Sequence, residues 1–152
     1  VATDRDQPLF RVIGVHLKAS PDFSRVRMKQ ADTIASYIKN LNSKLPVVIT
    51  GDFNTFDKKQ TRQSADDDQL IDKKWLPLGL VQSTGKYFTF KTPKYSSHFD
   101  RFWLSNTLKV AGTPTVLANC QLRQSDPEEL KKIIWFNTNI SDHCPVTVTF
   151  SL

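Results

Sequence analysis

The sequence predicts an α/β fold built on a mixed sheet. Three features carry that expectation: a nearly unbroken apolar and β-branched run at residues 10–17, a helix-spaced apolar stripe from Val26 to Leu41, and a second apolar run at residues 45–50. Strand, helix and strand at this spacing make a crossover unit, which sets two strands parallel or as near neighbours.

The elements follow in chain order. Residues 10–17 (FRVIGVHL) suit a strand covered on both faces. The stretch from Pro21 to Ser24 breaks that pattern and opens a helix, in which Val26, Ala31, Ile34, Ala35, Ile38 and Leu41 recur at three- and four-residue spacing on one face. Asn40-Leu41-Asn42-Ser43 ends it. Residues 45–50 (LPVVIT) form a second buried strand, stopped by Gly51-Asp52, and the polar residues 55–63 read as a loop. Ser64 followed by Asp66, Asp67 and Asp68 has the form of a helix N-terminus with acids in its first turn. Leu70, Ile71, Trp75 and Leu76 give that helix its apolar stripe until Pro77 and Gly79 stop it. Residues 87–90, 99–104 and 113–117 are strand candidates, and 127–134 a short helix. In the last strand, 145–150, Val146, Val148 and Phe150 alternate with Thr147 and Thr149. No repeat or linker divides the chain, so residues 1–152 read as one domain.

Composition removes several classes. With 39% hydrophobic and 24% charged residues the chain is not disordered as a whole, and its apolar runs fall far short of the roughly 20 residues of a membrane-spanning helix. Lys and Arg total 21 against 15 acids, a net charge of +6, which suits a phosphate-rich partner. Val1-Ala2-Thr3-Asp4-Arg5 lacks an initiator methionine and a signal pattern, so the N-terminus is expected to be a cut end. Cys120 and Cys144 have no zinc-type spacing; one bridge and two buried thiols both remain open.

In open α/β sheets, ligands sit off the strand ends. His16 closes the first strand, Asp52 and Asn54 follow the second, Asp100 sits between Phe99 and Phe102, and Asp142-His143 precedes the last strand. Each has an ordinary alternative: Asp52, Asn54 and Asp142 suit turns, and His16 and His143 suit satisfied structural histidines. Asp100 is harder to place that way, because a carboxylate within a buried strand needs a partner. His143 is the obvious one. No nucleophile signature, glycine-rich phosphate loop or dinucleotide fingerprint accompanies them.

His16-Leu17-Lys18-Ala19, Gly51-Asp52-Phe53-Asn54, His98-Phe99-Asp100-Arg101-Phe102-Trp103-Leu104-Ser105 and Ser141-Asp142-His143-Cys144-Pro145-Val146 occur in the order seen in the endonuclease/exonuclease/phosphatase superfamily. The resemblance spans about His16 to Phe150, and the helix carrying Arg27 and Gln30 resembles the nuclease branch. It implies a β-sandwich of two sheets flanked by helices, four layers in all, of which this chain would supply half. It also implies hydrolysis of a phosphate ester by water, assisted by a divalent ion, usually magnesium, with manganese as a substitute.

Carried over residue by residue, the resemblance makes Asp142 the metal ligand, Asp52 the group that orients or deprotonates the attacking water, and Asn54 a holder of that water or of a phosphate oxygen. His143, set by Asp100, would stabilise charge on the scissile phosphate, with His16 as the second phosphate-contacting histidine. Arg27 and Arg101 are the substrate-binding candidates. The family's early asparagine and metal-binding glutamate have no counterpart here, so the chain resembles the C-terminal half of such an enzyme, and a missing N-terminal half or second chain is the expected partner. Sheet surface left open by that half is expected to be exposed. Nucleic acid is the first substrate expectation, from the net charge and the Arg25, Arg27 and Lys29 cluster. A lipid or inositol phosphate substrate, or a non-catalytic complementing or binding fragment, is the alternative.

Overall fold

The computed structural model describes residues 8–41, 44–62 and 64–152. Its centre is a mixed sheet of four strands: β1 (Arg11–His16), β2 (Val47–Asp52), β6 (Asp100–Ser105) and β3 (Leu80–Ser83), in the order β1-β2-β6-β3. β1 and β2 run parallel, while β6 is antiparallel to both β2 and β3. The parallel pair follows from the crossover: α1 (Ser24–Lys39) lies between the two strands in sequence and carries the chain back to the end where β1 began.

Period-two alternation gives the sheet two different faces. Ile13, Val15, Val47, Ile49 and Trp103 point toward α1 and toward α3 (Asp67–Trp75), packing with Ala31, Ala35, Ile71 and Trp75. The Trp75 and Trp103 rings meet edge to face at 5.0 Å, an arrangement that adds roughly 1 kcal/mol to their area burial. Trp75 Nε1 also donates to the Ala31 carbonyl at 3.1 Å, fixing α3 on α1. The opposite face carries Val48, Phe102 and Leu104, packed with Leu108, Phe10, Val148 and Phe150. Toward its edges this face opens to solvent, with Val12 on β1 60% exposed and Val81 on β3 50% exposed. Among the described residues β1 is an edge strand covered on one face, not on both as its near-continuous apolar sequence suggests.

Around this sheet sit short pieces. A one-turn helix α2 (Lys58–Thr61) occupies the segment expected to be loop, because Asp57 and Gln60 form a reciprocal capping box. The helix α3 begins after Asp66 and not at Ser64; the Asp66 carboxylate accepts from the Lys58 amide at 2.8 Å. β4 (Phe90–Lys91) pairs with β5 (Ser96–Ser97), β7 (Lys109–Val110) with β10 (Phe150–Ser151), and β8 (Thr115–Val116) with β9 (Val146–Thr147). The final strand of the sequence reading is thus two strands on two partners, and the candidates at 87–90 and 113–117 contract to their last or central residues.

β2 also differs, running through Gly51 to Asp52, since Gly51 adopts φ +135° and keeps the ladder going where another residue would stop it. α4 (Pro127–Asn139) is longer than expected, as nothing breaks it before Ile140. The Asp126 carboxylate caps its start through the Glu128 and Glu129 amides, both at 3.0 Å. Cys120 and Cys144 are bonded, which settles the two readings in favour of the bridge. Among the described residues no helix is long and apolar enough to cross a membrane. Asn42 and Ser43 at the expected end of α1, Gln63, and Val1 to Arg5 lie outside the described residues.

Candidate active site

Register assembles the site. His16 ends β1 opposite Asp52, which ends β2, and Asp52 lies opposite Asp100, which begins β6. Facing residues on adjacent strands share a face, so an imidazole and two carboxylates from three strands stand in a row at one end of the sheet, on the side away from α1 and α3. Beyond β6, the loop before β9 brings His143 to the row.

Asp52 is the hub. Its Oδ1 accepts from the Asn54 amide at 2.8 Å and its Oδ2 from Asn54 Nδ2 at 2.9 Å. His16 Nε2 lies 3.5 Å and His143 Nε2 3.9 Å from Asp52 Oδ2. Burial raises the Asp52 carboxyl above the usual carboxylate range against the lowering effect of the Asn54 amide, and the nearby Asp100 charge raises it further. Asn54 reaches this position because its backbone sits in the left-handed region, φ 46°, which asparagine tolerates. Its Nδ2 also donates to the Leu17 carbonyl at 3.1 Å, tying the loop after β2 to the loop after β1.

His143 is held from several sides. Its Nδ1 lies 2.8 Å from Asp100 Oδ2, its amide donates to Ser141 Oγ at 3.0 Å, and its ring packs edge-on to Phe90 at 5.1 Å. The hydrogen bond to Asp100 lifts its basicity above that of an ordinary histidine, against burial, and the Asp100, Asp52 and Asp142 charges add to the lift. Asp142 stands beside it, its backbone oxygen accepting from the Lys91 amide at 2.9 Å. The side chain of His16 is by contrast 78% exposed.

The two arginines are elsewhere. Arg27, expected at the substrate, is completely buried: Nε and Nη2 contact Asp67 Oδ2 at 2.9 and 2.7 Å, and Nη1 donates to the Lys18 and Ser20 carbonyls, both at 2.7 Å. Arg101 follows Asp100 by one residue, and strand alternation sends it to the other face. There it is 3% exposed, paired with Asp68 at 2.5 Å and donating to Thr55 Oγ1 at 2.6 Å and to the His98 carbonyl. Both guanidiniums are thus buried in ion pairs with aspartates.

Sequence reasoning missed Thr89, whose buried Oγ1 accepts from the Asp100 amide at 2.8 Å while its carbonyl accepts from Cys144, locking the two halves of the Asp100–His143 pair together. A threonine inside the aromatic run 87–90 was the available signal. Asp67 was hidden among three consecutive aspartates, and only its burial separates it from its neighbours.

Among the described residues no group of three or more His, Cys, Asp or Glu side chains is arranged to hold a metal ion. Asp142 offers an oxygen donor of the type a hard cation such as magnesium takes, since that ion needs one or two carboxylates and keeps several waters.

A model of the endonuclease/exonuclease/phosphatase family matches residues 2–143. The chain belongs to this family. Among solved structures of the same fold, Danio rerio TDP2 complexed with a single-strand DNA product shares 18% identity at a TM-score of 0.61, over 93% of this chain and 56% of that one. A mannosyl-6-phosphatase from Bacteroides thetaiotaomicron shares 22% identity at 0.59, over 93% and 51%. An AP endonuclease from Archaeoglobus fulgidus shares 16% at 0.59, over 93% and 61%. The family member described here therefore spans about half the length of the structures it matches. No protein with a curated description matches it in sequence.

Proposed function

We propose that this chain carries the water-activating and charge-stabilising side chains of a metal-dependent phosphodiesterase acting on nucleic acid. The observation that carries the reading is the opposition of two differently tuned groups across one gap: the Asp52 carboxylate, made more basic by burial, and the His143 imidazole, held at Nδ1 by Asp100 at 2.8 Å and made more basic by that hydrogen bond. In-line attack on a phosphodiester needs a base at the water and positive charge at the phosphoryl oxygens. Asp52 accepts the proton of the attacking water. The Asn54 side chain orients Asp52 and lies beside the water's path. His143, with Nδ1–H given to Asp100, presents Nε2–H to a phosphoryl oxygen. The 3.9 Å between Nε2 and Asp52 Oδ2 exceeds a hydrogen bond, so the two groups act on each other through charge and not through a shared proton. His16, exposed at the end of β1, offers a second contact to the phosphate.

A magnesium ion at Asp142, if bound, supplies further charge stabilisation at the phosphoryl group and the leaving oxygen. Completing its coordination falls to a further segment or second chain. The limited donor set, the exposed Val12 and Val81, and the matched length support this division. The net charge of +6 and the DNA product in the TDP2 complex favour nucleic acid over inositol phosphates.

The deciding experiment incubates the full gene product with DNA, RNA and inositol phosphates, in magnesium and in chelator. Expected is magnesium-dependent cleavage of nucleic acid, abolished in His143→Ala. Equal cleavage by that variant refutes the assigned roles, cleavage of inositol phosphates alone transfers the site to the other substrate class, and no cleavage leaves a binding or complementing fragment.

A further inference from the structure

Arg27 and Asp67 are both fully shielded from solvent, a costly place for two charges unless each is completely satisfied. They are satisfied in an unusual way. Asp67 Oδ2 takes two guanidinium hydrogens and the Phe56 amide at 3.1 Å, while Oδ1 takes the Ser24 hydroxyl. The third guanidinium nitrogen holds two main-chain oxygens, those of Lys18 and Ser20. The guanidinium plane also lies 5.0 Å over the Phe56 ring.

The groups so joined are the two loops that leave the parallel strands. Lys18 and Ser20 follow His16 within four residues, and Phe56 follows Asn54 by two. The strands themselves end at His16 and Asp52, beyond which the ladder continues through the Leu17 amide to the Asp52 carbonyl at 2.8 Å and the Phe53 amide to the Phe99 carbonyl at 2.9 Å. Beyond those, the Arg27–Asp67 pair from below and the Asn54–Leu17 bond from the side close the loops into a ring.

We propose that Arg27 and Asp67 form a positioning pair that sets His16 and Asn54 against Asp52. This rests on the hydrolytic reading above, but its geometric core does not. A planar guanidinium fork can serve a carboxylate and two carbonyls at once; an ammonium cannot. A fold that needed only a filled core here would do as well with apolar side chains, since replacing both members of a buried pair is often neutral for stability.

The test uses the full chain with Arg27→Lys and the double variant Arg27→Met/Asp67→Leu, compared with native protein well below their melting temperatures. Two quantities are read: the imidazole NMR resonances of His16 and His143, and turnover against KM on the best substrate. Positioning predicts that His16 resonances shift or broaden while those of His143, held by Asp100, stay in place. It also predicts that turnover falls by about tenfold to a hundredfold with KM changing far less. A folded variant with a native His16 spectrum overturns the proposal. If native protein hydrolyses nothing, the functional reading fails, while the His16 spectrum still decides the positioning role. Failure of both variants to fold also overturns it, by showing that the pair serves the whole fold and not the site.

Discussion

Asp100 Oδ2 and His143 Nδ1 lie 2.8 Å apart although they are 43 positions apart in sequence. That contact fixes the ring so that its other nitrogen faces Asp52, and it is braced by Thr89, which bonds the main chain beside both partners. Asp100 is therefore the largest single influence raising the basicity of His143.

Asp100→Asn removes that influence. The hydrogen bond to Asp100 is the main cause of the raised His143 basicity, so the variant's imidazole loses its proton at lower pH than the native one. Because a raised folded-state value stabilises the protein below the unfolded histidine's value of about 6.5 and is lost as pH rises through the folded value, the stability difference between native and variant shrinks on going alkaline. NMR titration of His143 and melting curves at acidic and mildly alkaline pH check both points; an unchanged titration midpoint would sink the pairing.

Gly51→Ala tests the backbone device that carries Asp52. A Cβ at Gly51 would collide with the Val15 carbonyl oxygen, and φ of +135° is open in practice only to glycine. The variant is expected to lose about 2 kcal/mol or more of stability, read by denaturant unfolding. Full retention of stability would show that the β1–β2 ladder yields easily at this point.

Reducing the Cys120–Cys144 bridge removes the covalent hold on the residue after His143. With the cysteines 24 positions apart, chain-entropy reasoning assigns the bridge about 3.5 kcal/mol. Melting with and without reductant, and in a double Cys→Ser variant, is expected to show that loss. Matching melting temperatures would place the bridge outside the stabilising framework.

Asp142→Ala addresses the ion. If the Asp142 carboxylate holds magnesium, its removal weakens binding by at least about tenfold, measurable by calorimetry on the full gene product. Unaltered affinity would move the metal to other donors.

Several parts of this architecture were legible in the sequence because they are local. The apolar run before His16, the stripe through Ala31 and Ala35, and the strand ending at Asp52 set β1, α1 and β2 by side-chain periodicity alone. The capping box of α2 escaped notice because a single turn has no period to detect. The two-residue strands escaped for a related reason: Lys109–Val110 and Ser96–Ser97 are strands only because of the partners they meet. The continuous apolar character of residues 10–17 was misleading about coverage, since sequence counts apolar side chains but does not say whether anything lies over them.

By itself the sequence determined the α/β class, the order of the motifs and the residue types that could perform phosphate chemistry. Tertiary structure alone decided which of them meet. Strand register aligned His16, Asp52 and Asp100, alternation turned Arg101 away from its neighbour Asp100, and helix packing buried Arg27 against Asp67. The physical reason is that a charged side chain's role is set by the partners within a few ångströms, and those partners come from segments whose proximity is a property of the packed sheet and helices.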